Sequence, residues 1–598
     1  MVTYKAPLRD MRFVLYELHH GDALAQWPGF EEMTPDLIDP VLEEAAKLCQ
    51  EVLFPLNRPG DEEGCVFENG VVRTPRGFQE AYRTFREGGW TSIACDPAYG
   101  GQGLPHSVAI LIDEMICSSN LSFGLYPGLS YGAYVALHAY GSDALKEMYL
   151  PKLVEGVWTG TMCLTEPHCG TDLGLLRTRA VPQDDGTYQI TGTKIFISAG
   201  DHDLTENIVH LVLARRPDAP PGIGGVSLFL VPKFLVGDDG SPGARNGVAC
   251  GSIEHKMGIK ASATCLINFD DATGWLVGEP HKGMRAIFTM MNTERLAVGI
   301  QGLGLAEASY QGAVAHARER LQGRALSGAK HLDKAADPII VHPDVRRMLL
   351  TQRAYIEGCR ALGGWVAHAL DEQHRNPDPA QRTAAEDLVA LLTPTVKALF
   401  TDLGFEATNL GLQVLGGHGY IREQGMEQYV RDCRITQIYE GTNGVQALDL
   451  VGRKLPADGG RLLRQLFQPI ARFIEERAGD LELAPFAGPL AKAFDELQRA
   501  TAKIARDGAD PEEAGAAASD YLRLFGLTAL AYMWARAVEA ALPKVKNGAD
   551  QDGFYKAKIG TAWFFMERLL PQTSGLSAAI IAGGAGGRSM MEFDDAAL

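Results

Sequence analysis

Between residues 157 and about 276 the chain changes texture, and that change limits the folds open to it. On either side, apolar residues recur at the three- and four-residue steps of buried helices. Inside, short β-branched and aromatic runs alternate with Gly, Pro and Asp. Residues 188–191, 194–198, 208–213 and 226–231 read as antiparallel strands of a small sheet or barrel. Residues 236–251, rich in Gly, Asp and Pro, read as an exposed loop. At 598 residues the chain is too long for one hydrophobic core. The expected fold class is therefore mainly α with a central β-domain, and a β-domain set between helical domains leaves a cleft where ligands are often held.

The expected order is an irregular N-terminal arm at 1–35, a helical domain at 36–156, the β-domain at 157–281, a helical bundle at 282–455 and an additional helical domain at 461–598. Leu37, Val41, Ala45 and Leu48 predict the buried stripe of the first long helix. Residues 96–104 interrupt that domain with closely spaced glycines. In the bundle, 293–320 and 384–411 are long amphipathic stretches. Pro-Ala-Asp-Gly-Gly at 456–460 reads as a linker, and the glycine-rich tail from Gly583 as flexible.

Composition removes several functions. Hydrophobic residues make up 46% and charged residues 22%, the balance of a folded protein. The net charge is -18, so non-specific nucleic-acid binding lacks its basic footprint. The ten cysteines form no CxxC pair, which speaks against a bound metal or a redox dithiol and for a reducing cytoplasm. No secretory signal is visible at the start. No run of about 18 uninterrupted apolar residues predicts a membrane span.

Two segments carry chemistry. The first is Trp158-Thr-Gly-Thr-Met-Cys-Leu-Thr-Glu-Pro-His-Cys-Gly-Thr-Asp172, followed by Gly192-Thr-Lys-Ile-Phe-Ile-Ser198. The second is Gln413-Val-Leu-Gly-Gly-His-Gly-Tyr420, followed by Arg431-Asp-Cys-Arg-Ile-Thr-Gln-Ile-Tyr-Glu-Gly-Thr442. In this order, inside a helix–sheet–helix layout, they resemble the acyl-CoA dehydrogenase family across about residues 40 to 455. Total length, the arm and the extra C-terminal domain resemble the larger bacterial members of that family, which include enzymes acting on 3-methylmercaptopropionyl-CoA and on ordinary fatty acyl-CoAs.

The resemblance implies FAD as cofactor, an acyl-CoA substrate, electron-transfer flavoprotein as electron acceptor, and a homodimer. It places the base that removes the α-proton at Glu440, whose backbone N–H, with a flavin hydroxyl, would bind the thioester oxygen. Met162, Leu164 and Thr165 would line the flavin's pyrimidine edge, mainly through backbone N–H groups. Phe196, Ile197 and Ser198 would pack beside the ring, with Thr171, Gly441 and Thr442 as further contacts. Arg320, Gln322, Gln413, Gly416 and Gly417 match residues that reach the FAD of a neighbouring subunit. Asn292, Arg295 and Thr171 match positions at the substrate. No GxGxxG loop offers a nicotinamide site instead.

There are departures from the family pattern. His168-Cys-Gly-Thr171 replaces a common Gly-Ala-Gly-Ser, Phe196 stands where tryptophan is usual, and Gly444 stands where a glutamine often does. An acyl-CoA oxidase, which passes electrons to O₂, stays open on sequence. A DNA-binding flavoprotein relative is disfavoured, because residues 456–598 hold 16 basic against 19 acidic side chains.

Overall fold

A computed structural model of the chain describes residues 3–505, 510–584 and 589–597. Residues 585–588 of the expected flexible tail lie outside them. The chain forms two compact units. One comprises Met1–Glu43, Pro105–Glu114 and Val298–Leu598; the other comprises Glu44–Leu104 and Met115–Ala297.

The second unit holds the sheet. Its strands are β1 (Trp158–Cys163), β2 (Arg179–Pro182), β3 (Tyr188–Ser198), β4 (Asn207–Arg215), β5 (Val226–Pro232), β6 (Val248–Ile253) and β7 (Thr264–Val277). The order is β6-β7-β3-β2-β4-β1, with β5 pairing both β7 and β4, so the path β7-β3-β2-β4-β5 closes on itself as a small barrel. Its core is Ile190, Ile197, Val212, Phe229, Ile267, Phe269 and their neighbours. The expected all-antiparallel pairing is corrected: β1 runs parallel to β4, and β2 meets β4 in parallel at Arg179. The chain between β1 and β4 is long enough to cross over, so no hairpin forces the two to oppose. The expected loop at 236–251 is also corrected. It contains a hairpin, Phe234–Val236 with Pro242–Arg245, and the start of β6.

β3 spans the two short runs seen in the sequence. It pairs Lys194 with Ile267 and Ile197 with Cys265, so three steps on β3 face two on β7. The extra residue makes a bulge and shifts the inward–outward alternation. Lys194 and Ile197 both point inward, while Phe196, with φ 58°, is pushed out to 59% exposure.

The other unit is helical. Pro343–Arg375 and Pro379–Leu415 lie against each other, and Ala518–Lys546 packs on both. Trp534 donates from Nε1 to the Ala354 carbonyl at 3.2 Å. Gly302 and Gly404 let two helices meet backbone to backbone: a Cβ on Gly404 would lie 2.5 Å from the Gly302 oxygen. The segment after the linker is thus built into the same core as the bundle. The first residues are not irregular, as expected, but helical over Leu8–Arg12 and π-wound over Phe13–Leu18, with Met11, Phe13, Val14, Leu15 and Leu18 buried. Asp10 there joins a buried ionic cluster with Arg360 and Lys558. Arg360 also pairs with Glu114 at 2.5 Å and Glu307 at 2.6 Å.

In helix Pro35–Leu48 the expected Ala45 and Leu48 are buried, but the first half of the stripe is corrected by one residue: Leu37 is exposed and Val41 half-buried, whereas Ile38 and Leu42 are buried. Both sets fit the spacing; only the neighbours choose. Two helices, His106–Tyr140 and Pro379–Leu415, are long and apolar enough on average to cross a membrane, which a search for unbroken apolar runs misses. Of their most apolar windows, 83% and 78% are buried inside the protein.

Candidate active site

The chain around Glu440 leaves the helix and re-enters it. Helix Met426–Arg434 tightens into a 3-10 turn at Ile435–Gln437, and helix Asn443–Asp449 begins six residues later. Between them Glu440 has φ 56° and Gly441 φ 83°. Glycine enters that left-handed region freely. A residue with a Cβ does so at a cost of about 1–3 kcal/mol, so its surroundings must hold it.

They do. Gln446, fully buried, donates from Nε2 to the carbonyls of Glu440 (3.2 Å) and Gly441 (3.1 Å). Asn443 donates to Asp402 Oδ1 at 2.7 Å and to Thr401 Oγ1 at 2.9 Å, and its Oδ1 accepts from the buried Lys397 ammonium at 2.9 Å. Gln437 reaches the same Asp402 oxygen at 2.6 Å. The Tyr439 hydroxyl donates to Gln301 Oε1. Both flanks of Glu440 are tied to buried helices, and its side chain sits half-buried on a rigid turn. Strain of this kind concentrates where a side chain must be aimed.

On the sheet unit, Met162 is the partly exposed member of the otherwise buried β1. Leu164 and Thr165 follow, half-buried, and the Thr165 carbonyl accepts from Ile195 N at 2.9 Å. Among the described residues, neither the Thr165 amide nor its hydroxyl has a hydrogen-bond acceptor. Phe196 stands out on its bulge and Ser198 is half-exposed. Together these offer a flat aromatic face and spare donors, which suits a planar ring with polar edges. Ile197 differs from expectation: at 2% exposure its side chain belongs to the barrel core, leaving only its backbone to touch a ligand. Thr171 is exposed, just before Asp172 caps the Leu173–Leu175 turn. Asn292 is exposed, whereas Arg295 is buried, its guanidinium 5.9 Å from the Phe288 ring centre.

The remaining predicted residues collect on the helical unit. Arg320 follows the end of helix Gly283–Glu319 and is exposed, as are Gln322 and Gln413. The His316 and His418 rings lie 6.1 Å apart and bring the end of that helix to the Gly416–Gly417 turn. Burial, then the neighbouring His418 and Arg320, lower the His316 pKa against a smaller opposing effect of Glu319. Gly416 has φ 58°, and a Cβ on Gly416 or Gly417 would meet nothing within 4 Å, so the backbone there is open to close approach. The loop after Arg320 is fixed by the unexposed Asp337, which accepts from the amides of Ala325 (2.9 Å), Lys330 (3.0 Å) and His331 (2.8 Å).

Known proteins match along the chain. Profiles described as acyl-CoA dehydrogenase N-terminal, middle and C-terminal domains match residues 40–157, 161–272 and 281–455. One described as acetyl-CoA dehydrogenase C-terminal like matches 466–594. The 3-methylmercaptopropionyl-CoA dehydrogenase of Ruegeria pomeroyi is 44% identical over 96% of this chain and 97% of its own. The chain belongs to the acyl-CoA dehydrogenase family. A butyryl-CoA dehydrogenase of Syntrophomonas wolfei is 35% identical, covering 97% of each chain. The fold matches the crystal structure of an acyl-CoA dehydrogenase from Bacillus anthracis, complexed with FAD, at a TM-score of 0.72 and 20% identity, over 93% of this chain and 90% of that one. Within an acyl-CoA dehydrogenase, sequence reasoning passed over Gln446, Asn443 and Lys397, which hold the Glu440 turn. The signal was faint: a glutamine and a lysine at otherwise apolar helix positions, and an asparagine at a helix start.

Proposed function

We propose that this acyl-CoA dehydrogenase removes the α-proton and β-hydride of a short unbranched acyl-CoA, a thioether acyl chain such as 3-methylmercaptopropionyl included. The names of the two relatives support that substrate class. The observation that carries the reading is Glu440, a carboxylate on a strained and braced turn.

An α-C–H beside a thioester is a weak acid, so a base must sit at Cα and the thioester oxygen must be stabilised as charge develops. Glu440 would take the proton. Its own amide, on the same turn, would donate to the oxygen. FAD, when bound, supplies the hydride acceptor. The Thr165 donors and the Phe196 face suit its ring, and Arg320 with the open Gly416–Gly417 backbone suits its pyrophosphate.

Reoxidation would occur at electron-transfer flavoprotein, since a site closed around bound product excludes solvent and oxygen. Initial rates on butyryl-, 3-methylmercaptopropionyl- and palmitoyl-CoA, with electron-transfer flavoprotein or a one-electron dye as acceptor, test both points. Rates should favour the two short substrates, with little peroxide formed in air. Fastest turnover on palmitoyl-CoA would overturn the substrate class. Peroxide formed at the rate of substrate loss, with no added acceptor, would make the enzyme an oxidase.

A further inference from the structure

Lys194 has no exposed surface, although it lies on a barrel strand whose other inward residues are apolar. Its Nζ donates to the Leu164 carbonyl at 2.9 Å and to Glu166 Oε1 at 2.8 Å. Glu166, itself 3% exposed, also accepts from Thr178 N at 3.0 Å, Thr178 Oγ1 at 2.6 Å and Arg177 N at 2.7 Å. Burial would raise the Glu166 pKa, but Lys194 and these donors outweigh it and hold the carboxyl below its ordinary value. A well-packed apolar pair is often as stable as a buried ion pair or more so. Stability therefore does not explain why charge is kept here.

The covalent geometry offers another reason. The Leu164 carbonyl and the Thr165 amide belong to one planar trans peptide, so they point in opposite directions. An ammonium pulling on the oxygen polarises the unit and makes the amide at its other end a stronger donor, by an order of 10–30% per bond in a hydrogen-bonded chain. That Thr165 amide has no acceptor among the described residues. Its carbonyl is meanwhile pinned by Ile195 N at 2.9 Å, on the strand that carries Lys194. Lys194 points inward in step with Ile190, and the bulge that follows it sends Phe196 outward.

We propose that Lys194 is a positioning residue for the flavin, which acts through the Leu164–Thr165 peptide to aim and strengthen the Thr165 N–H at the ring's pyrimidine edge. This rests on the flavin reading above. Reduction adds negative charge to that edge, and a preorganised donor stabilises the reduced ring more than the oxidised one. Lys194 then raises the flavin's readiness to accept electrons as well as its retention.

The test compares the parent holoprotein with Lys194→Met and with Lys194→Met/Glu166→Gln, which leaves no unpaired buried charge. The readouts are thermal melting, the FAD dissociation constant and the flavin midpoint potential. The double variant is expected to fold, to bind FAD about tenfold more weakly, and to favour oxidised over reduced flavin by a further factor of about ten, equivalent to ~30 mV for a two-electron couple. A folded double variant with unchanged affinity and potential would overturn the proposal. Should neither variant fold, the parent itself decides: with FAD ¹³C-labelled at the pyrimidine carbonyls, their infrared stretch should lie below its position for free FAD in water, and a stretch at or above that position overturns the proposal. A parent that takes up no FAD would instead overturn the flavin reading, a distinguishable failure.

Discussion

Gln446 Nε2 lies 3.2 Å from the Glu440 carbonyl oxygen and 3.1 Å from that of Gly441, a fork of two hydrogen bonds from a fully buried amide to a left-handed turn. The proposed base and the side chain that braces its turn are thus six residues apart on opposite sides of a helix start.

Gln446→Leu keeps the volume and removes the fork. Two carbonyls lose a donor, which should cost about 1–3 kcal/mol of stability. A displacement of the carboxylate by about 1 Å is worth up to ~10²-fold in rate. The expected outcome is a fall in kcat with FAD content unchanged. Equal loss of stability with kcat intact would show that the turn is held by Asn443 alone.

Glu440→Gln keeps the turn and its backbone amide but removes the proposed base. Turnover should drop by ~10²–10⁴-fold or more. Bound flavin and thioester affinity should persist, as read by absorbance and by titration with substrate. Near-normal turnover would move the base elsewhere, with Glu423 and Glu427 next to test.

Arg320→Ala removes an exposed cation beside His316 and the Gly416–Gly417 turn. If this arginine serves the FAD of a second subunit, flavin loss and weaker self-association should appear together on dilution. Flavin released from a fully intact oligomer would refute the shared contact.

Acid should loosen the sheet unit. Burial, and then the charge of Lys233, push the pKa of His202 and of His210 down to about 3 from an ordinary 6.5. Between these limits the unfolded chain binds more protons than the folded one. Stability is therefore full above pH 6.5 and falls as pH drops towards 3, by up to ~1.4 kcal/mol per unit for each histidine. Asp371 in the helical unit has the opposite sign: burial raises its carboxyl to about 6, so it favours folding at low pH and loses that benefit as pH rises through 6. Burial lowers His19, His106 and His368 in the helical unit as well, so acid costs both units. Hydrogen exchange at about pH 7.5 and about pH 5 should show protection falling in β4 and its neighbours. Unchanged protection there would count against this assignment.

Helix-to-sheet-to-helix order and the main strands were readable from local pattern, because period and turn residues are properties of neighbouring residues, whereas the Glu440 block stood out only through its resemblance to the family. The N-terminal residues were not. Their apolar spacing was present, but the reason to order them, the Asp10 contact with Arg360 and Lys558, comes from residues hundreds of positions away. The stripe Ile38–Leu42–Ala45 rather than Leu37–Val41 shows the same limit one residue at a time.

The sequence by itself determined which residue types were available: one Glu-Gly pair between two helices, one Lys in a strand, a run of glycines near an arginine. Only the tertiary structure decided what they do. It bent Glu440 into a left-handed turn through Gln446, sent Phe196 outward and Ile197 inward by a single bulge, and brought His418 beside His316. Periodicity is set along the chain over a few residues, whereas strain, burial and the direction of a side chain are set by contacts that exist only once distant segments have met.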